Sequence, residues 1–384
     1  MRIDDQDLAD LAALRRDLHA HPELGFAEHR TAAIVAEALR AAGLEVTTGI
    51  GGTGVVGTLR NGPGNGAIGF RADMDALPFA EQTGLPYASK TPGVFHGCGH
   101  DGHSATLIGA ARHLAKTREF SGTIHFIFQP AEEGQGGADA MVRDGLFDRF
   151  PCDRVFALHN WPDLPLGSAR TRPGPIMAAA DRFDIVISGK GGHAAMPHQT
   201  PDAILAAATL VQQLNTIVAR RLPPTESAVL SVTKVHGGDS HNVIPATVTL
   251  TGTVRTFSPQ VQDRIEESLR AICDGVARSS ETQIAVDYIR YYPATVNDAE
   301  SAAIALAAAR AVCGDALEAP APAFTSEDFA FMLRARPGAY LWMGQRDDTH
   351  VAALHHPAYD FNDAVTPIGI AWFAELARNQ LPVG

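Results

Sequence analysis

The sequence predicts an α/β protein: a mixed-sheet domain interrupted by a smaller inserted unit of ferredoxin-like β-α-β-β-α-β order. Three observations predict it. Short apolar runs at 55–59, 68–70, 123–128 and 155–158 alternate with stretches of helical periodicity, as expected for a sheet covered on both faces. Near Asp181 the order changes to alternating strands and amphipathic helices. Finally, 384 residues with 45% hydrophobic content exceed the size at which one core usually keeps growing, so two domains are the default.

In chain order, 8–18 and 31–42 carry apolar residues at helical spacing, and Gly43 is placed to stop the second helix. Residues 104–115 have helical character between two of the apolar runs. In the inserted unit, 183–188 alternates like a half-exposed strand and 202–220 reads as a helix. Residues 228–235 and 246–254 read as strands, 259–277 as a helix and 283–289 as a strand. Helix-like 299–312 and strand-like 339–343 resume the first pattern. The expected division is therefore 1–180 and 293–384 as two parts of one domain, with 181–292 inserted. No internal repeat or low-complexity tract interrupts this order.

Lys and Arg total 31 against 43 Asp and Glu, a formal charge of -12, so no generally basic face for nucleic acid is expected. The first ten residues lack the basic start and apolar core of an export signal, and no apolar run is long enough to span a bilayer. A cytoplasmic protein is expected. Four cysteines cannot form a dense disulfide framework in so long a chain and are expected as thiols.

The densest chemical signal is His96-Gly97-Cys98-Gly99-His100-Asp101-Gly102-His103, a glycine-softened loop leading into a helix. Glycines let the backbone turn several donors inward, and thiolate with imidazole is a metal-ligand set. The second is Gln129-Pro130-Ala131-Glu132-Glu133, where an apolar strand stops and delivers adjacent carboxylates. One can fix a metal while the other takes a proton from water. The third is His159-Asn160 after the run 155–158, and Arg71-Ala72-Asp73-Met74-Asp75 has the same shape. All lie at the carboxyl ends of predicted strands, where ligands gather in open α/β sheets. Leu354-His355-His356-Pro357 offers a distant imidazole pair.

Two other patterns point to different chemistry and are weaker. Gly49-Ile50-Gly51-Gly52-Thr53-Gly54 matches a dinucleotide fingerprint literally, but a strand follows where a helix is needed to cradle pyrophosphate, so it reads as a turn. Gly102-His103-Ser104-Ala105-Thr106 approaches a serine-hydrolase elbow but lacks its closing glycine, leaving a serine nucleophile as the weaker alternative.

With these residues assembled, the chain resembles the aminoacylase and carboxypeptidase G family of metallopeptidases, in the branch of hippurate hydrolase and indoleacetyl-amino acid hydrolases. The resemblance runs through 15–24, 71–78, 98–103, 129–133, 158–160, 192–198 and 326–329, almost the whole chain. It implies a metallopeptidase-like catalytic domain whose insert is a lid and dimerisation module, so a homodimer or higher homo-oligomer is expected. It also implies two divalent ions: one held by His100 and His159, the other by Glu133 and His355, with Cys98 bridging them. Glu132 is then the general base, and Asp75 the carboxylate that orients a ligand. His193 is implied to reach a neighbouring active site, and Asn242 and Arg255 to hold a substrate carboxylate. Family members often carry Asn or Ser after the last histidine, whereas His356 follows here; His355 keeps the Leu-His-x-Pro register. The donor set suits Zn, Mn, Co or Ni alike. The implied reaction is hydrolysis of N-acyl or N-aroyl amino acids such as hippurate, a small-molecule substrate. The alternatives are a dipeptidase or aminopeptidase and a metal-stabilised binding protein. A base beside the ligands argues against the last.

Overall fold

The computed structural model describes residues 3–383, so Met1 and Arg2, where the segment read for an export signal begins, lie outside the described residues. The chain divides into two compact units. One comprises Met1–Ile176, Thr295–Ala321 and Asp328–Gly384, the other Met177–Ala294 with Pro322–Glu327.

The first unit is built on an eight-stranded mixed sheet. Its order is Glu45–Ile50, Gly54–Asn61, Gly122–Gln129, Ala67–Asp73, Arg154–Pro165, Gly338–Arg346, Ser168–Thr171 and Asp315–Glu318. The central four, from Gly122–Gln129 to Gly338–Arg346, run parallel to one another. Their apolar runs are continuous because both faces are covered, and every residue of Gly338–Arg346 except the last is buried. The strands Glu45–Ile50 and Gly54–Asn61 add antiparallel pairing at one edge. Helix His100–Thr117, buried from His100 through Ala111, packs on the sheet, and Asp5–Ala20 and Val365–Gln380 pack on that helix.

A mixed α/β fold with a large mixed sheet is thus what these runs form. Among the described residues, seven strands lie outside the runs that predict it: Glu45–Ile50, Ser168–Thr171, Gly174–Met177, Gly192–His193, Val243–Ile244, Thr295–Asn297 and Asp315–Glu318. Each is short, polar or interrupted by proline, so neither length nor alternation marks it.

The second unit carries a four-stranded antiparallel sheet, ordered Ala228–His236, Thr247–Thr256, Ala179–Ser188, Gln283–Tyr292. On Ala179–Ser188, Phe183, Ile185 and Ile187 face the core while Arg182 and Val186 are exposed, which is the alternation of a strand with one covered face. Helix Pro259–Ser280 begins with proline in its first turn and with Ser258 Oγ accepting from Val261 N at 3.3 Å. The single helix expected over 202–220 is two, Ala203–Leu214 and Thr216–Arg221, meeting at Asn215. Asn215 Nδ2 donates to Val211 O at 2.7 Å, the local side-chain bond that competes with a helix ladder.

Candidate metal centre

Strand register gathers the site. Asp73 stands opposite Gln129 and Arg71 opposite Ala157, so Asp73 and His159 lie level, two residues further along. Trp342 flanks His159 on the other side. Helix His100–Thr117 enters through Gly99, whose φ of 93° is left-handed. A Cβ there would come within 2.5 Å of both Asn160 Oδ1 and Tyr359 Oη, so only glycine lets Cys98 and His100 approach the His159 strand this closely.

The ligand atoms of Cys98, His100 and His159 lie within 4.8 Å of one another, and so do those of Cys98, Glu133 and His355. Cys98 belongs to both groups. Its Sγ is 3.4 Å from His159 Nε2, while His355 Nε2 is 3.2 Å and His100 Nε2 4.0 Å from Glu133 Oε1. His356 belongs to no such group among the described residues; its Nδ1 accepts from Ala358 N at 3.1 Å.

His100 Nε2 and Glu133 Oε1 are buried without a hydrogen-bond partner. Leaving each unsatisfied costs on the order of 1–3 kcal/mol. A cation beside each answers both, so this donor set fits divalent metal. The far ring nitrogens are already occupied. His100 Nδ1 faces the main-chain oxygen of Asp75 at 2.9 Å and its Oδ1 at 3.3 Å, and His159 Nδ1 faces Asn160 O at 2.7 Å. Those contacts fix the tautomers that leave Nε2 free to ligate. Asp75 Oδ2 also accepts from Glu133 N at 2.9 Å, tying two of the candidate ligands together.

Charge is concentrated here. Burial opposes the imidazolium of His100, but Asp73, Asp75 and Glu133 outweigh it and push the pKa up to about 10. Burial, with His103 next, holds His159 well below its ordinary value. Ligation needs neutral imidazole, so an ion entering this site displaces the His100 proton.

Glu132 is 7% exposed, and its ligand oxygen lies within 4.8 Å of the ligand atoms of His100 and Glu133. Its Oε1 accepts from Asp328 N at 3.3 Å. Several residues around the centre have no role assigned from sequence. His103 bridges Asp73 Oδ1 and Asn160 Oδ1, each at 2.6 Å. Arg71 joins Asp73 Oδ2 at 2.8 Å, Gln129 Oε1 at 2.8 Å and Asp328 Oδ1 at 3.3 Å. The signal for these was present, since Asp73 and His103 sit inside the motifs that carry the ligands.

The remaining expected residues lie in the second unit. His193 and Asn242 sit on neighbouring segments, with His193 paired to Val243 and Ala194 N donating to Asn242 O at 3.0 Å; both side chains are exposed. Arg255, half-buried on Thr247–Thr256, donates to Thr253 Oγ1 and to Val254 O and forms no carboxylate ion pair among the described residues. Burial lowers its pKa, and Asp181 opposes that.

Among the described residues no helix is long and apolar enough to cross a membrane. The pattern of peptidase family M20/M25/M40 matches residues 69–379. The chain is 39% identical to a hippurate hydrolase of Campylobacter jejuni, over 96% of each chain. It is equally 39% identical to an N-acetyl-L-cysteine deacetylase of Bacillus subtilis, over 97% of this chain and 88% of the relative. The crystal structure of a dinuclear metal-binding peptidase from Bacillus subtilis superposes with a TM-score of 0.85 at 36% identity, covering 98% of this chain and 99% of that one. With a metal-ligand constellation at the carboxyl edge of its sheet, the chain is an amide-bond hydrolase and belongs to peptidase family M20/M25/M40.

Proposed function

We propose that the chain hydrolyses the amide bond of N-acyl or N-aroyl amino acids, hippurate-like compounds foremost, releasing a carboxylic acid and a free amino acid. One observation carries the reading: the Cys98 thiol is common to two separate triads of ligand atoms, which is the arrangement a pair of bridged cations needs. His100 and His159 would hold one ion, Glu133 and His355 the other, and Cys98 both. Two divalent ions held there would supply Lewis acidity to polarise the scissile carbonyl and lower the pKa of the attacking water. Glu132 takes the proton from that water and delivers it to the nitrogen of the leaving amine. Asp75 holds the His100 ring and the Glu133 backbone in place for both tasks.

The substrate carboxylate falls to Arg255 and Asn242. A guanidinium whose bonds go only to neutral oxygens keeps its charge available for an anion, and two parallel charge-assisted bonds suit a carboxylate. The second unit serves as a ferredoxin-like lid and dimerisation module, from which His193 reaches the partner's site. Support for the substrate class comes from the hippurate hydrolase and the N-acetyl-L-cysteine deacetylase, both named for blocked amino acids. The test is a panel of blocked amino acids and free-amine dipeptides, assayed after reconstitution with each of Zn, Mn, Co and Ni. The reading expects blocked substrates with a free carboxylate to dominate; preference for a free α-amine would replace it with a dipeptidase or aminopeptidase.

A further inference from the structure

Glu28 lies far from the ligand motifs in sequence and is fully buried, yet its side chain does not cap the helix His29–Ala41 that it precedes. Its two oxygens are committed elsewhere. Oε1 accepts from Ala131 N at 2.8 Å, and Oε2 accepts from the Thr53 hydroxyl at 2.5 Å. Ala131 immediately precedes Glu132 and Glu133 and has a φ of 51°, a left-handed backbone that an L side chain adopts at a cost of about 1–2 kcal/mol. Such a conformation persists only where the surroundings over-determine it.

Those surroundings converge on one point. A Cβ at Gly25 would come within 3.0 Å of Ala131 Cβ, so the segment leading to Glu28 lies directly on this turn. Gly137 N donates to Ala131 O at 3.0 Å and closes the turn from its other end. Thr53 belongs to the glycine turn that resembles a dinucleotide fingerprint, and a Cβ at Gly51 would meet Met141 N at 2.5 Å. That turn therefore fastens Glu28 to the base-bearing loop.

We infer that Glu28 is a positioning residue for catalysis: its carboxylate clamps the Ala131 peptide in the left-handed conformation that aims Glu132 into the metal centre. The inference rests on the assignment of Glu132 as base. Burial raises the Glu28 pKa while the bonds from Thr53 and Ala131 oppose the rise, as expected for a carboxylate held by neutral donors.

The experiment compares Glu28→Ala, Glu28→Asp and Glu28→Gln, each folded by thermal melt and assayed with hippurate in excess metal. Misaiming a catalytic group by about 1 Å costs on the order of 100-fold, so kcat of the Ala and Asp variants should fall roughly 10- to 100-fold. KM should hold within about twofold, because Glu28 does not touch substrate. Glu28→Gln keeps an acceptor for Ala131 N and should recover most of that loss. Combined with Glu132→Gln, Glu28→Asp should cost little more than Glu132→Gln alone, because it acts through the same group. Wild-type kcat in folded Glu28→Asp, or losses that multiply in the double variant, would overturn the clamp. Should Glu132→Gln itself be fully active, the base assignment fails instead, so the two failures are distinguishable.

Discussion

Replacing Glu132 by glutamine changes one carboxylate oxygen to an amide nitrogen at nearly constant volume. The site is buried, and the Asp328 N–H that reaches Oε1 at 3.3 Å finds the same acceptor in an amide oxygen, so the fold and the neighbouring Glu133 should persist. What disappears is the group able to take a proton from water. General-base assistance contributes about 100- to 10,000-fold in rate, equivalent to about 3–5 kcal/mol of activation free energy. Hippurate hydrolysis, followed by glycine release, should therefore fall by that factor in kcat with KM changed by less than about threefold. Metal content, measured by elemental analysis on the same dialysed sample, should remain at the wild-type ratio. A fully active Glu132→Gln would refute the base. A metal-free one would refute the division of labour between Glu132 and Glu133.

Replacing Arg255 by methionine should raise KM for hippurate roughly 10- to 100-fold while kcat changes little, the value of a charge-assisted bond to the substrate carboxylate; an unchanged KM would remove Arg255 from the binding site. The buried pair of His19 and Asp101, 2.9 Å apart, makes stability depend on pH. Burial opposes the His19 charge, but Asp101 and Glu81 prevail and push its pKa up from 6.5 to about 9. A raised folded-state pKa stabilises fully below 6.5, and the benefit fades as pH rises through 9. About 3 kcal/mol should be lost between pH 6 and pH 10 in urea titrations of the metal-loaded protein, and His19→Gln should flatten the profile. An identical slope in the variant would contradict the pairing.

The parallel strands were legible because each holds a continuous run such as Phe126, Ile127 and Phe128, apolar on both faces and ended by a proline or a polar residue. Glu45–Ile50 was not, since an edge strand of polar residues shows neither run nor alternation. Helix Val365–Gln380 was hidden by Pro367 and Gly369 near its start. Gly369 is there for packing, as a Cβ would come within 2.5 Å of Thr106 Cγ2, and sequence propensity cannot register that approach. At the site, Cys98, His100, Glu133 and His159 stood out by residue type at strand and loop ends. Arg71, Gln129 and Asp328 form a buried network across 58 and 257 residues of chain, and only the tertiary fold brings them together.

Anomalous diffraction from crystals of the metal-loaded protein would test the bridge most directly. The account predicts two peaks, each at about 2.3 Å from the Cys98 sulfur, one toward His100 and His159 and the other toward Glu133 and His355. A single peak, or a pair with neither ion within bonding distance of that sulfur, would contradict it.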